Sequence, residues 1–443
     1  MVKLKRLKIG KYRNVKPGTE LHFRDSLNVM LGRNGTGKTT LLNLIVQLLS
    51  WDFSQLQNEA ADLEYVLETP GVGLTVRVRT ELLHEPAGLT GNARKLSSGL
   101  LAMGLVQRSQ RYAMTLGIEI VLSEDKSYVL SLEGSRLILA KKGEPPFYTI
   151  SPMQVAQGES ALVAMIIAAL EGEGAASSSG LVREAMLALG TAAGDRFSLP
   201  MLRRFDESLE YLGSITQEKT LNAERIQEGG KYHSTDVAGP PVFARRLMDA
   251  LNQDAETDEI RIESNEEEAE FLARLVVLLG FESAQARLHR ISRSSGPDEQ
   301  VKFGNVQFHF VRRDKSITNH SLLSYGQKRL LAFYCYLASS PTCVVADELV
   351  NGMHHEWIDA CLKDLGERQA FLTSQNPLLL DYLCFDSAEE VRSSFVLCHT
   401  EFYEAREQMV WENMSLDEAV GFFSAYQVAI HHVGELLRLR GLW

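Results

Sequence analysis

The sequence predicts an α/β protein with an antiparallel β subdomain and an α-helical insertion. Three observations predict it. Leu27, Val29 and Leu31 form a short apolar strand that runs into a glycine-rich loop and then a helix-forming run. Between Glu64 and Leu139 apolar residues alternate at strand spacing. From Ser151 to about Gln300 they recur with helical composition, separated by glycine- and serine-rich breakers.

Taken in order, Leu4, Leu7 and Ile9, then Leu21, Phe23, Leu27, Val29 and Leu31, read as short strands. Thr40 to Leu49 reads as a helix. Glu64 to Leu83 alternates through Leu74, Val76 and Val78, with Pro70-Gly71 as the turn of a hairpin. Ile118 to Leu122 and Tyr128 to Leu139 extend the antiparallel set, with Glu133-Gly134 between two strands. Helices are expected at Ala161 to Leu170, Leu181 to Leu189, Met201 to Leu212 and Glu266 to Leu279, with breakers at Gly172 to Gly180, Gly229-Gly230 and Gly239-Pro240-Pro241. No heptad run is sustained, so a long coiled-coil arm is not expected. Strands resume at Val301 to Arg312 and a second α/β block follows. The expected organisation is an N-terminal lobe over 1–150, a helical insertion over 151–300 and a C-terminal lobe over 301–443.

The 443 residues can bury two or three cores, and 45% apolar with 23% charged residues is ordinary for a globular protein. The 46 basic and 57 acidic residues give a net charge of -11, which argues against indiscriminate coating of nucleic acid. Lys3, Lys5, Arg6, Lys8, Lys11, Arg13 and Lys16 stand together without an acid among them. They are read as an edge strand with solvated lysines, the competing reading being a phosphate-contacting patch. Cys335, Cys343, Cys361, Cys384 and Cys398 form no CxxC pair, and buried free thiols in a reducing compartment are expected. With neither a signal-peptide pattern nor an apolar run long enough for a span, a cytoplasmic location without membrane contact is expected.

Gly32-Arg33-Asn34-Gly35-Thr36-Gly37-Lys38-Thr39 matches GxxxxGK[ST] at every fixed position. Glycines let the backbone curl so that its N–H groups face phosphates, Lys38 supplies charge to the β/γ-phosphates, and the Thr39 hydroxyl can ligate Mg²⁺. Asn34, Gly35, Thr36, Gly37, Lys38, Thr39 and Thr40 are the ATP-binding candidates, Thr40 lying in the first helical turn. Pro341 to Ala346 is an apolar strand that ends in Asp347-Glu348. Such a strand delivers Asp347 to the Mg²⁺ shell and Glu348 to the attacking water as general base or orienting group.

Leu323-Ser324-Tyr325-Gly326-Gln327-Lys328 resembles the LSxGQ signature of ABC-type ATPases. Signature, helix and Walker B strand follow in the order such heads use. Asn351-Gly352-Met353-His354-His355 stands where those heads carry the D-loop, and Phe371 to Pro377 leads through a strand to the switch position. Most relatives have His there; this chain has Gln375, which can bridge γ-phosphate and water but carries no proton charge. Leu7 to Asn14 resembles the opening of RecF- and SMC-type heads, whose Arg-Asn corner lies near the nucleotide, and this assigns Arg13 and Asn14 to ATP. No Q-loop glutamine is convincing, with Gln55 and Gln57 as the candidates.

The resemblance is to compact ABC/SMC-type ATPases related to RecF and to the OLD-type ATPase domain, many of them in bacterial anti-phage defence. It implies that Ser324, Gly326 and Gln327 of one copy close on ATP bound by another, in a homodimer or a larger even-numbered assembly. Glu389-Glu390 and Asp417-Glu418 are read as solvated helix faces rather than a nuclease centre, so effector chemistry is expected on a separate, nuclease-like partner. The expected function is a slow ATPase, with ATP and Mg²⁺, acting as the sensor or scaffold of a PARIS-like or Septu-like system. Its trigger would be DNA or a phage protein. The alternative is a RecF-like repair ATPase on duplex DNA. A transporter subunit fits less well, because the insertion between phosphate loop and signature is too large. The acidic stretch Glu256 to Glu270 is read as a solvated helix face, or else a partner surface.

Overall fold

The computed structural model describes residues 2–50, 52–69, 72–82, 112–123, 126–133, 136–142, 148–150, 202–206, 208–216, 219–225, 232–237, 239–253, 256–294, 300–374, 377–403, 406–428 and 433–439. Two compact units share the chain. One holds Met1–Asp25, Leu31–Pro200 and Ala388–Val420; the other holds Ser26–Met30, Met201–Ser387 and Gly421–Trp443.

The strands of the N-terminal part are β1 (Lys3–Tyr12), β2 (Thr19–His22), β3 (Leu27–Leu31), β4 (Ala61–Thr69), β5 (Val72–Leu82), β6 (Tyr112–Ser123), β7 (Lys126–Glu133), β8 (Arg136–Lys141) and β9 (Tyr148–Ile150). Eight of them form one sheet of order β2-β1-β4-β5-β6-β7-β8-β9 in the first unit. Every neighbouring pair is antiparallel. The expected hairpin is β4–β5 and the later alternating runs are β6, β7 and β8; the turns Pro70-Gly71 and Gly134 lie outside the described residues. Alternation buries Leu4, Leu7 and Ile9 of β1 and Leu63, Tyr65 and Leu67 of β4.

The basic N-terminal run is not an edge strand. β1 lies between β2 and β4. Its cations are largely met by acids: Lys5 by Asp25 at 2.5 Å, Arg6 by Glu64 at 2.6 Å, Arg13 by Glu59 at 3.0 Å and Lys16 by Glu401 at 3.1 Å. The acids come from β4, from the strand Phe395–Tyr403 and from the segments around Asp25 and Glu59, so the run looks uncompensated only along the sequence.

The second unit contains β10 (Arg204–Phe205), β11 (Lys219–Arg225), β12 (Tyr232–Val237), β13 (Glu259–Glu263), β14 (Ser283–Arg293), β15 (Gln300–Val311), β16 (Ile317–Asn319), β17 (Cys343–Ala346) and β18 (Gln369–Thr373). Strands β10, β17, β18 and β3 lie side by side and parallel, the arrangement of a buried α/β sheet. All four residues of β17 and all five of β18 are buried. Strands β12-β11-β15-β14-β13 form a second, antiparallel sheet.

The middle of the chain is therefore not helical throughout. Ala161 to Leu170 and Leu181 to Leu189 lie outside the described residues. Met201 to Leu212 is not one helix: Arg204–Phe205 is a strand, and a helix runs over Glu210–Thr216. Leu202, Phe205, Leu209 and Leu212 mimic helical spacing, but Phe205 is buried at 1% as it pairs alongside Ala346, and Leu209 adopts a left-handed φ of 59°. Pairing with β17 overrides the local pattern. Glu266 to Leu279 does become helical, as a 3-10 turn Glu267–Ala269 followed by the helix Glu270–Leu279. Residue 300 is the first of β15, which pairs with β14.

Part of the acidic stretch Glu256 to Glu270 is strand β13 rather than a helix face. Arg246 pairs with Glu266, Arg245 with Glu268 and Arg261 with Glu259. Cys335, Cys343, Cys361 and Cys398 are buried free thiols, while Cys384 is exposed. Burial raises the Cys398 thiol to about 12. Among the described residues no helix is long and apolar enough to cross a membrane.

Candidate nucleotide site

The phosphate loop lies in the first unit. Buried Met30 and Leu31 end β3 and anchor the loop start. Gly32, Gly35 and Gly37 have φ of 148°, 87° and 87°, values that a side chain disfavours. Space forbids a side chain as well: a Cβ on Gly32 would lie 2.0 Å from the Cys398 carbonyl oxygen, and one on Gly37 would lie 2.2 Å from Met409 Sδ. Thr36 Oγ1 donates to the Arg33 carbonyl at 2.8 Å. Lys38, only 8% exposed, donates from Nζ to the carbonyls of Gly32 at 2.7 Å and Arg33 at 3.1 Å. Its ammonium is thereby centred in the loop it closes. Helix α1 (Lys38–Ser50) begins there with no acid in its first turn, leaving its amides and dipole to face an anion. Asn34, Gly35 and Thr39 are exposed and Thr40 is half-buried.

The hairpin of β19 (Phe395–Tyr403) and β20 (Arg406–Asn413) backs this loop. Buried Trp411 donates from Nε1 to the Thr36 carbonyl at 3.2 Å. The Arg-Asn corner reaches the same hairpin: the Asn14 carbonyl accepts from Met409 N at 2.9 Å, and Asn14 Nδ2 donates to the Glu407 carbonyl at 3.4 Å. Arg13 has a left-handed φ of 46° and makes a two-point contact with the Glu59 carboxylate, which raises the arginine's pKa further. Asn14, Gly32, Thr36 and Gly37 are thus organised around one hairpin, while the Arg13 side chain turns to Glu59. Met409 and Trp411 carry no motif, and sequence reading did not single them out. Gln55 hydrogen-bonds Gln47 of α1 at 2.8 Å, so its side chain is engaged in holding that helix.

The acid pair Asp347-Glu348 lies in the second unit. Asp347 and Glu348 follow β17 directly. Asp347 N donates to the Phe205 carbonyl at 2.7 Å, and Arg204 Nη1 meets Asp347 Oδ2 at 2.5 Å. Thr373 at the end of β18 donates its hydroxyl to Asp347 Oδ1 and accepts from Glu348 N at 2.9 Å. Glu348 is buried to 8% exposure and has a left-handed φ of 51°. Arg329, with no exposed surface, fixes that turn. It donates to the carbonyls of Glu348, of Leu349 at 3.1 Å and of Asp206 at 2.9 Å. The strained backbone at Glu348 is therefore clamped from the signature helix, where Arg329 sits. Arg204, Thr373 and Arg329 carry no sequence signal: pairing of β10, β17 and β18 brings the first two to Asp347-Glu348, and Arg329 reaches that turn from the helix Tyr325–Ser339.

Ser324 caps the helix Tyr325–Ser339 in a capping box: Gln327 N donates to Ser324 Oγ at 3.3 Å and Ser324 N donates to Gln327 Oε1 at 2.9 Å. Gly326 is pressed to the expected D-loop, where a Cβ would lie 2.4 Å from the Gly352 carbonyl oxygen. Gln375 lies outside the described residues; the chain is described to Ser374, which is buried.

Comparison with known proteins adds to this geometry. Residues 6–126 match the family model described as AAA domain, and residues 230–381 match the model described as AAA domain, putative AbiEii toxin, Type IV TA system. Two parts of the chain thus match AAA-domain models, on an α/β framework with the parallel strands β10, β17, β18 and β3. No curated protein matches it. Similar solved structures include the SMC head domain from Thermotoga maritima, at 10% identity and TM-score 0.34, covering 92% of this chain and 98% of that one. The Smc head domain with an extended coiled coil, bound to the C-terminal domain of ScpA derived from Pyrococcus furiosus, is 11% identical with TM-score 0.35, covering 96% and 100%. The recombination mediator protein RecF of the RecFOR pathway is 15% identical with TM-score 0.31, covering 94% and 98%.

Proposed function

We propose that the protein binds and slowly hydrolyses ATP, and that ATP-driven pairing of two copies controls a separate effector. The observation that carries this reading is the phosphate loop itself. Its three glycines take left-handed backbone angles, Gly32 and Gly37 have no room for a Cβ, and the loop holds the Lys38 ammonium at the start of an acid-free helix.

In this reading Lys38 and the loop amides of Asn34 to Thr40 hold the phosphates, and Arg13 and Asn14 flank them. The Thr39 hydroxyl and the Asp347 carboxylate would hold Mg²⁺. Both are hard oxygen donors of the kind Mg²⁺ takes. Mg²⁺ held there would supply charge to offset what develops on the phosphates. Glu348 orients water, and its clamped backbone limits where that carboxylate can swing. Gln375 contributes hydrogen bonds at the switch. Ser324, Gly326 and Gln327 serve the ATP of the other copy through the N-terminus of their helix.

The finer role is a sensor or scaffold in anti-phage defence that restrains a nuclease-like effector. The family matched over 230–381, described as a putative toxin of a toxin–antitoxin system, is the observation behind a defence role. Two substitutions test the ATPase reading. Lys38→Ala is expected to lose binding of a fluorescent ATP analogue. Glu348→Gln is expected to bind it normally and release little phosphate; normal phosphate release would refute the role of Glu348. Salt-sensitive, ATP-dependent binding of duplex DNA by the isolated protein would favour the RecF-like role instead.

A further inference from the structure

Arg204 stands on β10, and the main chain rather than chance places it against Asp347. Arg204 pairs with Val345 and Phe205 with Ala346 in the β10–β17 register, and the Phe205 carbonyl accepts from Asp347 N at 2.7 Å. The guanidinium meets Asp347 Oδ2 at 2.5 Å, with the two side chains only 24% and 13% exposed. Asp206, the next acid along, is farther from the guanidinium at 3.8 Å. The other oxygen, Asp347 Oδ1, accepts from Thr373.

Both oxygens of this carboxylate are therefore engaged, one of them by a full positive charge. A divalent cation approaching Asp347 meets the field of Arg204 at short range in partly excluded solvent, where like charges repel strongly. The guanidinium can leave by side-chain rotation alone, because only its head group is tied to the carboxylate. We propose that Arg204 is an internal counter-ion that holds Asp347 until a nucleotide-bound divalent metal displaces it, so that Arg204 sets the metal affinity of the site. This rests on the reading of Asp347 as a metal ligand. Metal without nucleotide competes poorly with the arginine; metal carried by the triphosphate brings further ligands and wins. Arg204 thereby makes occupation of Asp347 conditional on nucleotide.

The test is a titration of Mn²⁺, followed by electron paramagnetic resonance, into full-length protein saturated with a non-hydrolysable ATP analogue. Arg204→Gln is expected to bind Mn²⁺ about tenfold more tightly than the parent, the size expected for loss of a short-range like charge. Arg204→Lys keeps the charge and is expected to stay near the parent. Asp347→Asn is expected to bind Mn²⁺ more weakly, and adding Arg204→Gln to it should change nothing further. Arg204→Met gives a second uncharged variant if Arg204→Gln folds poorly, judged by its melting curve. Weakened Mn²⁺ binding in Asp347→Asn with unchanged or weaker binding in Arg204→Gln and Arg204→Met overturns this proposal alone. Unchanged binding in Asp347→Asn overturns the metal reading of Asp347 and the proposal with it.

Discussion

Thr373 holds together the two acids on which the chemistry is expected to depend. Its hydroxyl donates to Asp347 and accepts from Glu348 N at 2.9 Å, so one oxygen fixes a side chain and a main-chain turn at once. Thr373→Val keeps the shape and removes both bonds, leaving a buried N–H without its partner. The expected loss is about 1–3 kcal/mol of stability in urea denaturation, with ATP turnover lowered and ATP affinity little changed. A variant as stable and as active as the parent would show that the hydroxyl positions nothing. Trp411 acts similarly on the loop side. Trp411→Phe keeps an aromatic ring but loses the indole atoms that face Gly37 and the bond to the Thr36 carbonyl. ATP affinity is expected to fall about two- to tenfold, the size of one net hydrogen bond, as measured by titration calorimetry.

At the scale of elements, the ladder β1–β4–β5 is tied by charge as well as by apolar alternation. Glu64 on β4 accepts from Arg77 on β5 at 2.7 Å and from Arg6 on β1 at 2.6 Å. The Arg77 hydrogen bond first, then the charges of Arg77, Arg6 and Lys8, outweigh burial and lower the Glu64 carboxyl below its ordinary value. A carboxyl depressed in the folded state stabilises above its unfolded pKa, and that contribution disappears as pH falls through the lower folded value. Glu64→Gln is therefore expected to cost about 0.5 kcal/mol near pH 7, since the group is partly solvated, and to cost nothing in acid below the folded value. An equal penalty at pH 7 and pH 3 in thermal melts would contradict the ion-pair account.

The elements that sequence made legible are those whose chemistry is local. A glycine loop after an apolar strand, a buried strand ending in Asp347-Glu348, and Ser324 before a helix each declare themselves within ten residues or so. What stayed hidden depends on strand order. β10 has two residues, too few for any periodicity, and only its register with β17 reveals Arg204. The basic run of β1 resembled an exposed edge because the sequence does not give the neighbours β2 and β4 or the acids they carry. Arg329 reads as one more surface cation of a helix, yet it is wholly buried because three carbonyls of other segments converge on it. Met409 and Trp411 are far from the phosphate loop in sequence and reach it only through folding of β20.

For the whole molecule, the central claim is that ATP joins two copies through Lys38 of one and Ser324 of the other. The most direct measurement is the sedimenting mass of Glu348→Gln protein with and without saturating ATP and Mg²⁺. The mass is expected to double on adding nucleotide, and to stay at its nucleotide-free value when Lys38→Ala or Ser324→Arg is added. A mass that does not change with ATP, or that doubles equally in the Ser324→Arg background, would contradict the account.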